Sequence, residues 1–464
     1  MLVVMSIWGT RKKQQIADER DDRYILCIDG GGMRGVVPAV LLGKLARLLQ
    51  DAGDERPFYA HFDLIAGTST GGLLALALAA PADKSGLSKE GAAATPVFQK
   101  AEPSPAWKRV LFGDPPPVVA GVIPDGIDPD QLLNLYLESG KDIFPKGPSR
   151  PLSILGPIFS DKYDEKPLMR LLRRVFDDIP LSDATIPVMV VTYDTKHASP
   201  ILLSSRDSHG FLMREAARAT SAAPTFFSPA IIKDRQTGKI LNLIDGGVVA
   251  NNPVLYAYHE AKHLYPDAKR FHILSFSTAS STFSFDAGKA GGVIGWVDPA
   301  KGAPIQKIYA QSQMQTSDMI AASITDLDYI RIHGELGAEH VRLDDTSEVA
   351  MDKLSHGAER IFQENYEALQ GFAIQLSKRT NFDQVRLPPD TEPSTTGLDG
   401  SVLPRIDAQK QLEDSNKKSI PDSEYNFEYN LKTSVTPPPP QLPSSTNRQL
   451  EKTTKIGSRR RKHG

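Results

Sequence analysis

The chain has 464 residues, 40% of them hydrophobic and 24% charged, which is enough apolar material for a large core and excludes a wholly disordered chain. Lys and Arg total 54 against 56 Asp and Glu, a net charge of -2, so no global basic field exists to hold nucleic acid. The one cysteine, Cys27, excludes a disulfide framework and any metal site that needs two thiolates, and it fits a reducing compartment.

Residues 1–21 place a short apolar run (MLVV) before the basic residues. A secretory signal has the opposite order, so the segment reads as a leader without a targeting role. No stretch reaches the roughly 18 uninterrupted apolar residues of a membrane span. The expected location is cytoplasmic or peripheral at a membrane surface. From 22 to 280, short apolar runs alternate with helical patterns. YILCID (24–29), FDLIAG (62–67), PVMVVTYD (187–194), ILNLID (240–245) and HILSFST (272–278) read as strands. VVPAVLLGKLARLLQ (36–50) has helical spacing, and GGLLALALAA (71–80) is apolar nearly all round, as a buried helix is. Strands alternating with helices predict a three-layer α/β/α sandwich around a mostly parallel sheet.

Residues 81–125, rich in Ala, Pro, Gly and Lys, interrupt the pattern as a surface insertion, either a mobile loop or a cover over the site. Helices follow at 128–145 and 167–178. Residues 281–385 are expected to be a helical extension packed on the catalytic unit, with one long helical pattern at 350–378. From 386 to 464 the chain turns to Pro, Ser and Thr and ends in five basic residues between Lys455 and Lys462, the composition of a disordered tail.

Three loops carry chemistry. The first, Asp29 to Gly35 (DGGGMRG), lies between a strand and a helix. Three glycines let the backbone turn sharply and bring N–H groups close to an anion, helped by the helix dipole. Gly30, Gly32 and Gly35 satisfy the G-x-G-x-x-G dinucleotide pattern. The acidic residue that pattern expects, Asp51 or Asp54, precedes the second strand instead of ending it. The other use of such a loop is an oxyanion hole made by the Gly31 and Gly32 N–H groups.

The second loop, Gly67-Thr68-Ser69-Thr70-Gly71, matches G-x-S-x-G between a strand and a buried helix. There the reversal is cramped and Gly67 and Gly71 leave room for an exposed Ser69 hydroxyl. An ordinary helix cap by Ser69 or Thr68 is the plainer alternative. The third, ILNLIDGGVVANNP, ends a strand in Asp245 and turns at Gly246 and Gly247. Asp245 is placed to take the Ser69 proton, or else starts a turn. Asn251 and Asn252 read as helix-capping residues.

Together these motifs resemble the patatin-like phospholipase family, which carries a D-G-G-G-x-R-G loop, a G-x-S-x-G elbow and a D-G-G or D-G-A turn. DGGGMRG, GTSTGG and DGGVVANNP match all three, and ARATSAAPTFFSPA (217–230) is similar to the family's small-residue stretch. The resemblance covers about residues 22–280. It implies lipid acyl hydrolysis without metal or cofactor. Ser69 would be the nucleophile and Asp245 the base. Gly31 and Gly32, with Gly30, would form the oxyanion hole, and Arg34 would orient the loop, meet a phosphate head group or form a salt bridge. The implied partner is a phospholipid or related acyl lipid, met through transient contact with a membrane surface. Oligomeric state is left open. Two alternatives stand beside it. The chain order Ser69, Asp245, then His259 or His272 also suits a Ser-Asp-His esterase. The GGGMRG loop also suits an oxidoreductase.

Overall fold

The computed structural model describes residues 21–87, 95–99, 118–123, 125–145, 163–206, 210–224, 226–279, 304–336 and 341–379. In chain order the strands are β1 (Asp22–Ile28), β2 (Leu64–Thr68), β3 (Thr95–Gln99), β4 (Val118–Ile123), β5 (Val188–Asp194), β6 (Ser199–Ser204), β7 (Ala230–Lys233), β8 (Ile240–Asp245), β9 (Arg270–Phe276) and β10 (Leu327–Ile332). The helices are α1 (Val36–Asp51), α2 (Thr70–Leu78), α3 (Pro129–Ile143), α4 (Lys166–Phe176), α5 (Met213–Thr220), α6 (Val254–Leu264), α7 (Pro304–Ser323), α8 (Glu348–Glu364) and α9 (Tyr366–Ser377).

The main sheet runs β10-β9-β1-β2-β5-β8-β7, with β6 also on β5. Strands β10, β9, β1, β2 and β5 are parallel, and β6, β7 and β8 pair antiparallel. Side chains alternate across this sheet, as the two-residue period of a strand demands. Leu26, Ile28 and Ile65 enter a core with Leu41 and Leu45 of α1, Leu74 of α2 and Leu354 of α8. Ile25, Cys27, Leu64 and Ala66 enter a second core with Val254, Ala257 and Ala261 of α6 and Ala321 of α7. Both faces of the central strands are therefore dry, which is why their sequences read as unbroken apolar runs. The predicted α/β/α sandwich is the observed fold.

One feature of the strand registers shapes the site. β6 pairs with β5 along Met189–Asp194 and so occupies one edge of it. β2 takes the other edge at Val188–Val191, and β8 takes that same edge at Thr192–Asp194, running the opposite way. The C-terminal ends of β2 and β8 thus approach each other head-on against one strand. Thr68 is level with Val191 and Asp245 with Thr192.

Three expectations need amendment. The 281–385 extension is not only helical, because LDYIRI forms β10, an edge strand parallel to β9. Its charges hid it: Asp328 pairs with Arg270 of β9, and Arg331 reaches across the sheet to Asp29. The 350–378 pattern is two helices. At Asn365 the backbone leaves helical geometry and the side-chain amide donates to the Ile361 carbonyl at 2.8 Å, a local bond that competes with helix continuation. Within 81–125, β3 and β4 form an antiparallel hairpin apart from the main sheet. Residues 1–20, most of the remaining insertion and the 386–464 tail lie outside the described residues. No described helix is long and apolar enough to cross a membrane.

The end of α9 is tied to the sheet by a buried carboxylate. Asp63 accepts the Tyr24 N–H at 2.7 Å, and both its oxygens lie 2.9 Å from Arg379 Nη2. Asp63→Ala leaves that largely buried guanidinium without a carboxylate, with only the His61 carbonyl to accept from it, and should cost about 3 to 5 kcal/mol. Urea unfolding of the full chain measures it, and a loss below about 1 kcal/mol would mean that the contact is dispensable.

Candidate active site

Ser69 follows β2 directly and precedes α2. Its backbone sits at φ 55, ψ -124, outside the regions that a side-chain-bearing residue ordinarily occupies. Such strain persists only where the surroundings over-determine it. A Cβ on Gly67 would collide with the Gly71 carbonyl, and one on Gly71 with the Ile28 carbonyl. The two glycines of G-x-S-x-G are thus required by close backbone approach. The Ser69 N–H donates to Thr220 Oγ1 at 2.9 Å, and Thr220 in turn donates to the Val191 carbonyl at 2.8 Å. The Ser69 carbonyl accepts from Leu73 N–H, the first turn of α2. Ser69 therefore does not cap the helix with its side chain, which is left for other partners.

Asp245 ends β8 and is 5% exposed. Its Oδ1 accepts the Gly247 N–H at 2.7 Å, a turn that Gly246 permits by packing against the Val191 backbone. Burial pushes its carboxyl up to about 6, opposed by hydrogen bonds from the Ser69 hydroxyl and the Gly247 N–H. Ser69 and Asp245 meet because β2 and β8 end against each other on β5.

The glycine loop lies beside them. The Gly30 N–H donates to the Asn251 carbonyl at 3.1 Å, so this donor is committed. The Gly30 carbonyl accepts from Asn251 Nδ2 at 3.1 Å and from Thr278 Oγ1 at 2.7 Å. The Met33 N–H donates to Leu343, and the Arg34 N–H to Gly31. The Gly31 and Gly32 N–H groups have no partner among the described residues, and both residues line a cavity shared with Ser69 and Asp245. Gly32 has φ +56, and a Cβ there would strike the Leu343 carbonyl. The cavity measures about 490 Å³. Its walls are mainly apolar, including Leu73, Leu135, Phe144, Leu171, Phe226 and Met314.

A family model described as patatin-like phospholipase matches residues 26–258, half of the chain. The chain belongs to the patatin-like phospholipase family. It is 31% identical to Patatin-like protein 2 of Arabidopsis thaliana over 349 residues, covering 69% of this chain and 75% of the relative. It is 27% identical to Patatin-like protein 1 of Oryza sativa subsp. indica, covering 76% and 89%. It is 28% identical to Patatin-like protein 2 of the same rice, covering 78% and 90%. Patatin-like membership supports lipid acyl hydrolysis as the general activity, with acyl lipids as the substrate class.

On this patatin-like scaffold the remaining candidates fall into place or away. Arg34 lines the cavity wall, with Nη1 3.4 Å from the Ala279 carbonyl and no ion-pair partner among the described residues. Burial pushes its guanidinium down to about 10, still charged at neutral pH. No histidine is among the described residues lining the cavity. His272 is held between Asp328 and Asp22 and stacks on Tyr24, near the N-terminal end of β1, four residues from the loop end of the strand. His259 packs against His263 on α6. Asp54 is engaged by Arg56 and His61 in the loop after α1, so it is not placed as the dinucleotide pattern requires.

Sequence reasoning missed Asn251, Thr220 and Thr278. Asn251 reads as a cap but holds Gly30; Asn252 sits one residue ahead of the N-cap position, which Pro253 takes, and its side chain accepts the Val254 N–H at 3.0 Å. Thr220 lies in the small-residue stretch, where a single hydroxyl gives no signal of its own. Thr220→Val keeps the shape and removes both hydroxyl bonds, the one from the Ser69 N–H and the one to the Val191 carbonyl of β5. It should lower ester turnover about 10- to 100-fold, with Thr220→Ser recovering most of it. Steady-state kinetics on a short-chain p-nitrophenyl ester checks this, and equal rates for wild type and Thr220→Val would refute the role.

Proposed function

We propose that this protein hydrolyses carboxylic esters of phospholipids or related acyl lipids through a Ser69–Asp245 dyad. The observation that carries the reading is the convergence of Ser69, Asp245 and two unpaired backbone N–H groups at one apolar cavity. The Ser69 hydroxyl attacks the ester carbonyl while Asp245 accepts its proton. The carbonyl oxygen, now negative, is received by the Gly31 and Gly32 N–H groups; removing one donor of this kind typically costs about 10²- to 10³-fold in rate. Collapse of the tetrahedral intermediate releases the alcohol, protonated by Asp245, and leaves an acyl group on Ser69. Water, deprotonated by Asp245, then attacks the acyl group, and the fatty acid departs as Ser69 takes that proton back from Asp245.

A carboxylate is a weak base at its ordinary pKa, and burial brings Asp245 closer to the operating pH, where a general base is most effective. No third residue is needed to orient it, because the Gly247 N–H and the end of β8 already do so. The apolar walls suit acyl chains. Exposed Ile305, Ile308 and Tyr309 on α7, of which Tyr309 also lines the cavity, support transient contact with a lipid surface.

Ser69→Ala and Asp245→Asn should each lower hydrolysis of a mixed phospholipid panel at least about 10³-fold while the fold is kept, and His272→Ala should stay within a few-fold of wild type. Product analysis by mass spectrometry measures all three. Wild-type rates in Ser69→Ala or Asp245→Asn would end the assignment.

The base must be ionised to act. Its pKa is raised from the ordinary 3.8 to about 6, so activity should be full above that value and lost as pH falls through it. The kcat/KM profile on a soluble ester should therefore bend near pH 6 with about a tenfold loss per unit below. An acidic limb near pH 4 instead would refute the upward shift that burial imposes on Asp245, while its role as base is decided by Asp245→Asn.

A further inference from the structure

We propose that Arg331 is a positioning residue for the oxyanion loop, acting through Asp29. The proposal rests on the Ser69–Asp245 reading above and adds a residue that lies outside the family-matched segment 26–258.

Asp29 is the first residue of the glycine loop and is fully buried. Arg331 sits on β10, two strands away. The registers place Arg331 level with Ser275 of β9 and Ser275 level with Cys27 of β1, so the three side chains share one face of the sheet. Asp29, two residues beyond Cys27, projects to that same face. The guanidinium crosses Ser275, donating to its hydroxyl at 2.8 Å, and forks onto the carboxylate: Nη1 to Oδ1 at 2.8 Å and Nη2 to Oδ2 at 2.5 Å. On its other side Arg331 Nε lies 3.4 Å from Asp318 of α7. Asp318 itself accepts from Asn252 at 2.8 Å and from the Tyr329 phenol at 2.6 Å.

This arrangement does two things for the loop. The planar fork fixes the Asp29 side chain in orientation, which a point-charge ammonium would not. With Asp29 held on one side and Gly30 held by Asn251 and Thr278 on the other, the next two peptides have little freedom, and these carry the oxyanion donors. The fork also cancels a negative charge that would otherwise lie two residues from the developing oxyanion. Cavity lining does not include Arg331, so it meets no substrate and acts only through the loop.

The test uses the full chain, a short-chain p-nitrophenyl ester, and Ser69 titrated to completion with a fluorophosphonate, so that kcat is expressed per competent site. Arg331→Lys should lower kcat about 10- to 100-fold with KM within about threefold of wild type. Asp29→Asn should do the same, and the double variant should be no worse than the poorer single one. A purely structural role would reduce the number of titratable sites and leave kcat per site unchanged. Unchanged kcat per site in Arg331→Lys, or losses that multiply in the double variant, overturns the proposal. Should Arg331→Lys fail to fold, Asp318→Asn decides, since its carboxylate is 35% exposed. It should lower kcat per site about threefold, and no change overturns the proposal. Inactive Ser69→Ala beside fully active Arg331→Lys and Asp29→Asn sinks only this inference, whereas active Ser69→Ala sinks the reading beneath it.

Discussion

Two strands ending against each other on one edge of a third is the constraint on which the rest depends. A parallel strand normally faces a parallel neighbour along its whole length. Here β5 gives half of one edge to β2 and the rest to β8, which runs the other way. Each strand end leads into a loop, so two loops from distant parts of the chain are delivered to one point. That point lies at the carboxyl end of the parallel strands, where open α/β sheets bind ligands. Ser69 and Asp245, delivered this way, line one cavity whose described residues include no histidine.

The arrangement is held at some cost to stability. Ser69 keeps a strained backbone, and conformations of that kind cost about 1 to 3 kcal/mol. Asp245 is buried with only two hydrogen bonds toward it, and its carboxyl stands at about 6 instead of 3.8. That difference disfavours the folded state as pH rises from the unfolded pKa to the folded one, and it amounts to about 3 kcal/mol above the window. Both features are compensated by the double apolar core on either face of the sheet. Rigid strands and close glycine contacts leave the elbow no cheaper alternative.

The site also draws on more of the chain than its three motifs. Thr278 follows β9, Leu343 precedes α8, and Met314 and Asp318 lie on α7. All lie C-terminal to the matched segment: Thr278 and Leu343 bond to the glycine loop, Met314 walls the cavity, and Asp318 meets Asn252 and Arg331. The added edge strand β10 has the same character. Its outer residues pair along the sheet, and the one that points inward toward the loop is charged.

Local patterns alone determined much of this protein. Continuous apolar runs at 24–29 and 187–194 announce strands covered on both faces, and the uniformly apolar 71–80 announces a buried helix, since such sequences have no polar face to give to water. The three loops were equally legible, because close backbone approach leaves room only for glycine at Gly67 and Gly71. Patterning at 327–332 failed for the opposite reason: Asp328 and Arg331 look solvent-exposed until their partners on β9 and in the glycine loop are known. Asn251 and Thr220 looked like ordinary capping or small residues because their partners lie 221 and 151 positions away. Which of the glycine N–H groups is free was likewise decided only by tertiary structure. Gly30, Gly31 and Gly32 are identical in sequence terms, and the Asn251 carbonyl that occupies the first of them is placed there by the fold. Residue type sets what a group is able to do, but whether it is engaged depends on which distant atom the packed chain brings within bonding reach.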